Sequence, residues 1–248
     1  MAMNIAGGSD WRQDYLERYY SGTRYQCDRW PRLVQDYTPP GASVLEIGGG
    51  PVVWTTGMLR GRAREIFGLD IDPVVRNNQF LDEAIVYDGR QFPLQGARFD
   101  VAISRWVNEH LEDPALHFRE VQRVLVPGGV YLFRTVNLYH YTALGACITP
   151  HWLQVPLVRW LRHMSSEEHD PYPTYYRANT RRRITAIGEK AGLMPIAFAI
   201  SEESPSYGMA FRALFHGLMA YERLVNSSRR FEGVRHTIDC VLRKVSER

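Results

Sequence analysis

Short apolar runs and segments of helical spacing alternate along most of the chain. The apolar runs are rich in strand-forming residues and lie at 43–48, 65–70, 84–88, 99–104 and 130–136. Helical segments separate them, for instance at 53–60 and after Asp113-Pro114. Strict alternation of strand and helix predicts a doubly wound α/β sheet whose strands are mostly parallel.

Both ends of the chain extend this pattern. Trp11, Tyr15 and Tyr19 form one aromatic stripe, and Trp30-Pro31 begins a second helical stretch, so residues 1–42 are predicted to form an N-terminal helical cap. A helix at 180–191, a strand at 193–201, a helix at 209–225 and a strand at 236–242 complete the C-terminal part. We therefore expect a Rossmann-like sheet of seven strands, built from 43–136 and 180–248, with an antiparallel last strand.

The alternation fails between 137 and 179. This segment is rich in aromatic residues and histidines, and four prolines interrupt it. We expect it to form a helical lid that covers the carboxyl edge of the sheet and lines the site of an acceptor.

Composition narrows the class of protein. Of the 248 residues, 45% are hydrophobic and 23% are charged, which suits a globular domain with a sizeable core. No long charge-free apolar run and no secretory pattern is present, so we expect neither a membrane partner nor export.

Three widely spaced cysteines suit a reducing cytoplasm and predict no metal site. A net charge of +3 is too small to indicate nucleic acid, and the oligomeric state stays open.

Glycines and acids follow several of the predicted strands. Gly48, Gly49 and Gly50 follow the first, while Asp70 and Asp88 end the second and third. Ligands of open α/β sheets bind outside the carboxyl ends of the strands. A carboxylate at Asp70 suits the two hydroxyls of a ribose, and one at Asp88 can accept from the exocyclic amine of adenine. The pattern thus predicts a site for adenosine.

Two adenosine cofactors fit such a site differently. A dinucleotide fingerprint needs a third glycine, but Val53 occupies that position. Glu46, two residues before the first glycine, suits an ammonium group rather than a pyrophosphate. The residues therefore favour S-adenosylmethionine.

Five stretches together resemble the motifs of class I S-adenosylmethionine-dependent methyltransferases of the small-molecule type. In order, they are 44–51 (VLEIGGGP), 68–73 (GLDIDP), Asp88 with 92–94 (FPL), 99–104 (FDVAIS) with 108–114, and 125–132 (LVPGGVYL). The resemblance is detailed over roughly 40–137 and loose elsewhere. One departure is Val52, where many members of that family carry a glycine.

The resemblance implies a role for each residue of the site. At the methionine end of the cofactor it implies Glu46, Gly48, Gly49, Gly50, Ser104, Arg105, and Tyr19 or Tyr20. At the adenosine end it implies Asp70 for the ribose, Ile71 against the adenine ring, and Asp88 with Gly89 at the adenine edge. S-adenosylhomocysteine is the expected product.

Methyl transfer requires two aligned reactants and, for many acceptors, a base. The candidate bases are histidines of the 137–179 segment: His140, His151, His163 and His169. His169, next to Asp170, and His151 are the leading candidates, whereas His110 is assigned to an ordinary helix start.

Three hypotheses for the function remain open. The favoured one is methyl transfer to a small molecule, such as a secondary metabolite or a glycan precursor, within a biosynthetic route. The others are a macromolecular methyltransferase acting on RNA or protein, and a cyclase or S-adenosylmethionine-binding protein without methyl transfer.

Overall fold

The computed structural model describes residues 10–20, 29–51, 54–164 and 172–245. Its centre is a seven-stranded sheet of order β3-β2-β1-β4-β5-β7-β6, which confirms the predicted fold class. The strands are β1 (Ser43–Ile47), β2 (Glu65–Asp70), β3 (Glu83–Val86), β4 (Phe99–Arg105), β5 (Leu125–Val136), β6 (Leu193–Ser201) and β7 (Thr237–Lys244). β7 runs antiparallel to both β5 and β6, and the other pairings are parallel.

Eight α-helices accompany the sheet in the described ranges. They are α1 (Trp11–Tyr20), α2 (Arg29–Tyr37), α3 (Trp54–Leu59), α4 (Pro114–Val124), α5 (Tyr141–Ile148), α6 (His151–Arg162), α7 (Arg181–Lys190) and α8 (Arg212–Asn226). Several of these helices begin at a residue whose side chain accepts a hydrogen bond from a backbone N–H of the first turn. Asp113 accepts from the N–H of Leu116 at the start of α4, and Thr180 accepts from Arg183 at the start of α7.

Hydrophobic clusters pack on both faces of the sheet, because successive strand residues point to opposite sides. On β1, Leu45 and Ile47 belong to the cluster beneath α4 and α7. Val44 belongs to the opposite cluster, which includes Trp30 of α2 and Leu59 of α3. The sheet is therefore buried on both sides, as a parallel α/β sheet requires.

Two element predictions differ from the structure. The sequence Asp72-Pro73 predicts the start of a helix, but the structure has only a short 3-10 helix there (Pro73–Asn77), capped by Asp72. The sequence Pro127-Gly128-Gly129 predicts the end of the helix that starts after Asp113, but that helix ends at Val124 and β5 begins at Leu125. The Pro-Gly-Gly segment lies where the pairing of β5 with β4 changes register, so the strand continues through its glycines.

The described parts of the 137–179 segment form α5, α6 and an extended stretch from Tyr172. Gln154 of α6 donates hydrogen bonds to the carbonyl oxygens of Ala146 and Thr149, which joins the two helices at their connection. A role of this segment as a lid stays a prediction. The division of the chain into residues 1–42, 43–136 with 180–248, and 137–179 also stays a prediction.

Candidate active site

A cavity of about 1000 Å³ opens at the carboxyl edge of the sheet. The loops after β1, β2, β3 and β4 form its wall, and the extended stretch after Tyr172 forms part of its rim. Its lining includes most of the predicted cofactor residues, namely Gly48, Gly50, Asp70, Ile71, Asp88, Gly89 and Arg105. The structure thus brings together residues that are up to 57 positions apart in the sequence (105 − 48 = 57).

The turn after β1 requires glycine at its first position. Gly48 has a φ of +75°, and a Cβ placed on it would lie 2.4 Å from Cγ2 of Val107. Gly49 is packed against Val75 and the backbone of Gly68, which leaves little room for a side chain. The main chain of this turn can therefore lie directly against a ligand.

Asp70 and Asp88 both line the cavity. The carboxylate of Asp70 accepts from the N–H of Gly50 at 3.0 Å and from the N–H of Asp72 at 2.9 Å. Asp88 accepts from the N–H of Arg90 at 2.9 Å, which shapes the turn after β3. A carboxylate has about four acceptor sites, so both retain capacity for ligand hydroxyl or amine groups.

Ile71 and Gly89 each follow one of these carboxylates in the sequence and also line the cavity. The Ile71 side chain is 54% exposed, which is unusual for a large apolar residue beside a buried strand. Gly89 has a φ of +79°, and a Cβ there would lie 3.4 Å from Cγ2 of Ile71. The pair offers an apolar contact surface suited to a flat ring.

Arg105 lines the cavity, and the buried Glu46 lies close enough for the two charges to interact. Glu46 is fully buried on β1 and accepts a hydrogen bond from the hydroxyl of Thr56. Burial raises the pKa of Glu46 to about 8, although the Thr56 hydrogen bond and the charge of Arg105 oppose that rise. Nε of Arg105 is buried, and no described residue accepts a hydrogen bond from it. A buried, unmatched N–H at the cavity wall fits an anionic ligand group such as a carboxylate.

Four predicted cofactor residues are not among those that line the cavity: Glu46, Gly49, Ser104 and Tyr20. The hydroxyl of Ser104 lies 2.8 Å from that of Tyr131, inside the core. Ser104 and Arg105 are neighbours on β4 and therefore point to opposite faces of the sheet. The hydroxyl of Tyr20 donates to Glu222 of α8 at 3.3 Å and is buried there. These two placements give no support to a direct cofactor contact.

For three further residues named from the sequence, the structure gives no side-chain position. Val52 and His169 lie outside the described residues. His151 begins α6, and only its backbone position is described.

The cavity rim includes a strap, defined here as residues 172–175, whose contacts the sequence did not predict. Its Tyr172 hydroxyl donates to Asp72 at 3.2 Å, and its Tyr175 hydroxyl donates to Glu112 at 2.6 Å. The backbone N–H of Tyr175 also donates to the carbonyl of Glu109 at 2.8 Å. Their positions in an aromatic segment indicated an acceptor lining, but no spacing in the sequence pairs them with Asp72 or Glu112.

His110 is the histidine among the described cavity-lining residues. Its Nδ1 lies 2.8 Å from the carbonyl oxygen of Pro173 in the strap. A carbonyl oxygen can only accept, so Nδ1 carries the hydrogen in this contact. The neutral ring then has an unprotonated Nε2, which is able to accept a proton.

Comparison with known proteins agrees with this geometry. Residues 45–133 match the family model described as a methyltransferase domain. The malonyl-[acyl-carrier protein] O-methyltransferase of Serratia marcescens is 32% identical over 55% of this chain and 54% of its own length. The ubiquinone biosynthesis O-methyltransferase of Ruegeria pomeroyi is 28% identical over 63% of this chain and 66% of its own. The chain thus spans between about half and two thirds of these two curated relatives.

The fold is also shared with solved structures. The [4+2]-cyclase SpnF has a TM-score of 0.55 and 15% identity, with coverage of 92% of this chain and 84% of the cyclase. At that identity the likeness concerns the fold alone.

The matched region and the strand order together indicate a class. Residues 45–133 are similar to a methyltransferase domain, and the sheet has the order of the Rossmann-like methyltransferase fold. Within the described ranges, no helix has both the length and the apolar character needed to cross a bilayer.

Proposed function

We propose that this chain transfers a methyl group from S-adenosylmethionine to a small-molecule acceptor. One observation carries the proposal: a single cavity joins the glycine turn and two carboxylates to the buried, unmatched Nε of Arg105. The carboxylates suit a nucleoside and Arg105 suits a carboxylate, so the lining offers a group for each end of the cofactor.

The residues of the chain have separate tasks in this proposal. When bound, the cofactor supplies a methyl group activated by its sulfonium. Asp70 would hold the ribose, Asp88 with Gly89 the adenine edge, and Ile71 the ring face. Arg105 would pair with the amino-acid carboxylate, while Glu46 would orient the methionine end of the cofactor, directly or through water.

The acceptor is proposed to be a small molecule carrying a hydroxyl or carboxyl group. The two curated relatives described above are named as O-methyltransferases, which supports oxygen as the methylated atom. The cavity of about 1000 Å³ has room for a second molecule beside a nucleoside. Aromatic rings at Trp106, Tyr172 and Tyr175 would form an apolar part of its lining.

Proton removal from the acceptor would fall to a histidine. His110 is favoured here, because its Nδ1 is engaged by the Pro173 carbonyl and its Nε2 is available. His169 and His151 remain the alternatives from the sequence. In-line transfer in a site closed to water would supply the rest of the rate.

Calorimetry with S-adenosylhomocysteine tests cofactor binding, and mass spectrometry tests transfer. Purified protein is incubated with S-adenosylmethionine and a panel of phenols, catechols and carboxylic acids. A product heavier by one methyl group supports the proposal. Binding of S-adenosylhomocysteine with a product of unchanged mass would favour a cyclase, and methylation of bulk RNA or protein would favour a macromolecular acceptor. Absence of binding would overturn the proposal.

A further inference from the structure

Trp106 has a backbone conformation that is rare for a bulky side chain. It follows the last residue of β4, and its φ is +59°, in the left-handed region. That region is uncommon for residues other than glycine, and a large side chain there is an outlier. Strained residues of this kind cluster at functional sites, where the surrounding structure holds them in place.

The conformation takes Trp106 out of the alternating pattern of β4. On a continued strand, Trp106 would share a face with Ser104, which lies in the core beside Tyr131. Instead β4 ends at Arg105, and Trp106 lines the cavity together with that residue. The N–H of Trp106 still donates to the carbonyl of Arg134 on β5 at 2.9 Å. The sheet therefore fixes the position of this strained turn.

The core does not account for the Trp106 ring. Among the described residues, two hydrophobic clusters pack on the sheet, and Trp106 belongs to neither of them. The next residue, Val107, packs against the cluster beneath α4 and occupies the space beside Gly48, where an added Cβ would overlap it. Val107 thus supplies the packing of the turn, and Trp106 is only partly buried.

Two side chains hold the ring of Trp106 in place. The ring of His236, just before β7, lies 5.8 Å from it at an angle of 53°. The guanidinium carbon of Arg134 lies 5.9 Å from the ring centroid, and two hydrogen bonds to Asp239 fix that guanidinium. An aromatic ring supported in this way is presented to the cavity in one orientation.

The position of Trp106 along the chain indicates what its ring can contact. Arg105 and Val107 flank it, and all three residues line the cavity. Arg105 is assigned above to the carboxylate at the methionine end of the cofactor, and Ile71 is assigned to the adenine ring. The ring of Trp106 is therefore left for the molecule that receives the methyl group.

We propose that Trp106 determines acceptor specificity by selecting a planar aromatic ring. The proposal rests on the proposed function, because it takes the cofactor to occupy the rest of the cavity. Aromatic rings attract each other in offset-stacked or edge-to-face arrangements, beyond the contribution of the area they bury. A rigidly held indole thus favours an unsaturated ring over a puckered, saturated ring of similar size. His110 lines the same cavity, and its available Nε2 suits a hydroxyl group on that ring.

Matched pairs of probes test the proposal on the full chain loaded with S-adenosylhomocysteine. The pairs are phenol with cyclohexanol, catechol with cyclohexanediol, and hydroxybenzoate with hydroxycyclohexanecarboxylate. Calorimetry measures the affinity of each probe. For at least one pair, we expect the parent to bind the aromatic member about threefold to tenfold more tightly, the range that corresponds to an aromatic pair. This ratio is measured on the parent and does not depend on the folding of a variant.

Two variants assign the preference to Trp106. Trp106→Leu should reduce the aromatic-to-saturated ratio to about one, whereas Trp106→Phe should keep part of it because a ring remains. Trp160→Leu is the matched control, since Trp160 is exposed on α6 and is not among the cavity-lining residues. It should keep the ratio of the parent. All three variants should bind S-adenosylhomocysteine within about twofold of the parent, which shows that they are folded.

The remaining outcomes overturn the proposal. These are equal binding of aromatic and saturated probes by the parent, binding of none of the probes, and a parent-like ratio in Trp106→Leu. A loss of S-adenosylhomocysteine affinity in Trp106→Leu as large as the loss of aromatic affinity would assign the ring to the cofactor instead. Each of these results with intact S-adenosylhomocysteine binding by the parent overturns this proposal alone. Absence of that binding by the parent overturns the proposed function, and this proposal with it.

Discussion

The backbone N–H of Gly50 donates a 3.0 Å hydrogen bond to Oδ2 of Asp70. This contact joins the glycine turn after β1 to the end of β2, the two parts of the site that are expected to hold opposite ends of the cofactor. One carboxylate thereby shapes the turn and faces the cavity.

An Asp70→Asn variant should bind S-adenosylhomocysteine roughly 10- to 100-fold more weakly, since hydrogen bonds to a charged acceptor are worth about 1.5–3 kcal/mol. Calorimetry measures the change. Asp100→Asn is the matched control, because Asp100 accepts from the N–H of Ser43 at the opposite end of β1. Equal affinities for the two variants would contradict the assignment of Asp70.

A Gly48→Ala variant should lose roughly 2–4 kcal/mol of unfolding free energy. The positive φ costs about 1–2 kcal/mol, and the new methyl overlaps Val107. Gly61→Ala isolates the first contribution, because Gly61 has a φ of +81° and no atom within 4 Å of its added Cβ. Denaturant unfolding should rank Gly48→Ala as the more destabilised. Adding Val107→Ala should recover part of the loss.

Glu46 should make stability depend on pH. Burial raises its folded-state pKa to about 8 from an ordinary 4.5. An acid whose pKa is raised by folding contributes stability below its unfolded pKa and loses it as pH rises through the folded pKa. Glu46→Gln should therefore flatten the decline in melting temperature between about pH 4.5 and 8. Burial also raises the pKa of Glu202 to about 8, so Glu202 should still lower the melting temperature of the variant over the same pH range. An unchanged profile for Glu46→Gln would contradict the prediction.

Arg134 and Asp239 form a buried pair between β5 and β7. Two hydrogen bonds of 2.7 and 2.9 Å join the guanidinium to the carboxylate. Asp239→Ala should cost about 3–5 kcal/mol of unfolding free energy, because it leaves a buried charge without its main partner. Arg60→Ala, which removes an exposed pair with Asp82, should cost about 1 kcal/mol or less. Similar losses of unfolding free energy in the two variants would contradict the prediction that burial makes the Arg134–Asp239 pair the more costly one to break.

The His110 ring should be protonated on Nδ1 in its neutral form. The carbonyl of Pro173 can only accept, and the 2.8 Å contact therefore selects this tautomer. Long-range proton–nitrogen correlation spectra of labelled protein distinguish the two ring nitrogens directly. A neutral ring protonated on Nε2 would remove the case for His110 as a proton acceptor.

Local pattern and parallel connectivity predicted most of the scaffold. Alternation of strand and helix places the carboxyl ends of parallel strands at one edge, which is why Gly48, Asp70 and Asp88 were expected to meet and do line one cavity. Their individual cofactor contacts stay predictions until a bound complex tests them. The 127–129 segment shows the limit of local pattern, because Pro-Gly-Gly usually ends an element but here lies within β5.

What the sequence by itself determined was the order of elements, the class of fold and the acids and glycines at the strand ends, since these follow from local periodicity. Only the tertiary structure decided which of Ser104 and Arg105 faces the cavity. The alternation of side chains along a strand places the two on opposite faces of the sheet, but it does not say which face packs in the core. It also decided that Tyr20 contacts Glu222, 202 positions away, and that the strap reaches Asp72, Glu112 and His110. Such long-range contacts depend on how helices and loops pack on the finished sheet, which no local spacing encodes.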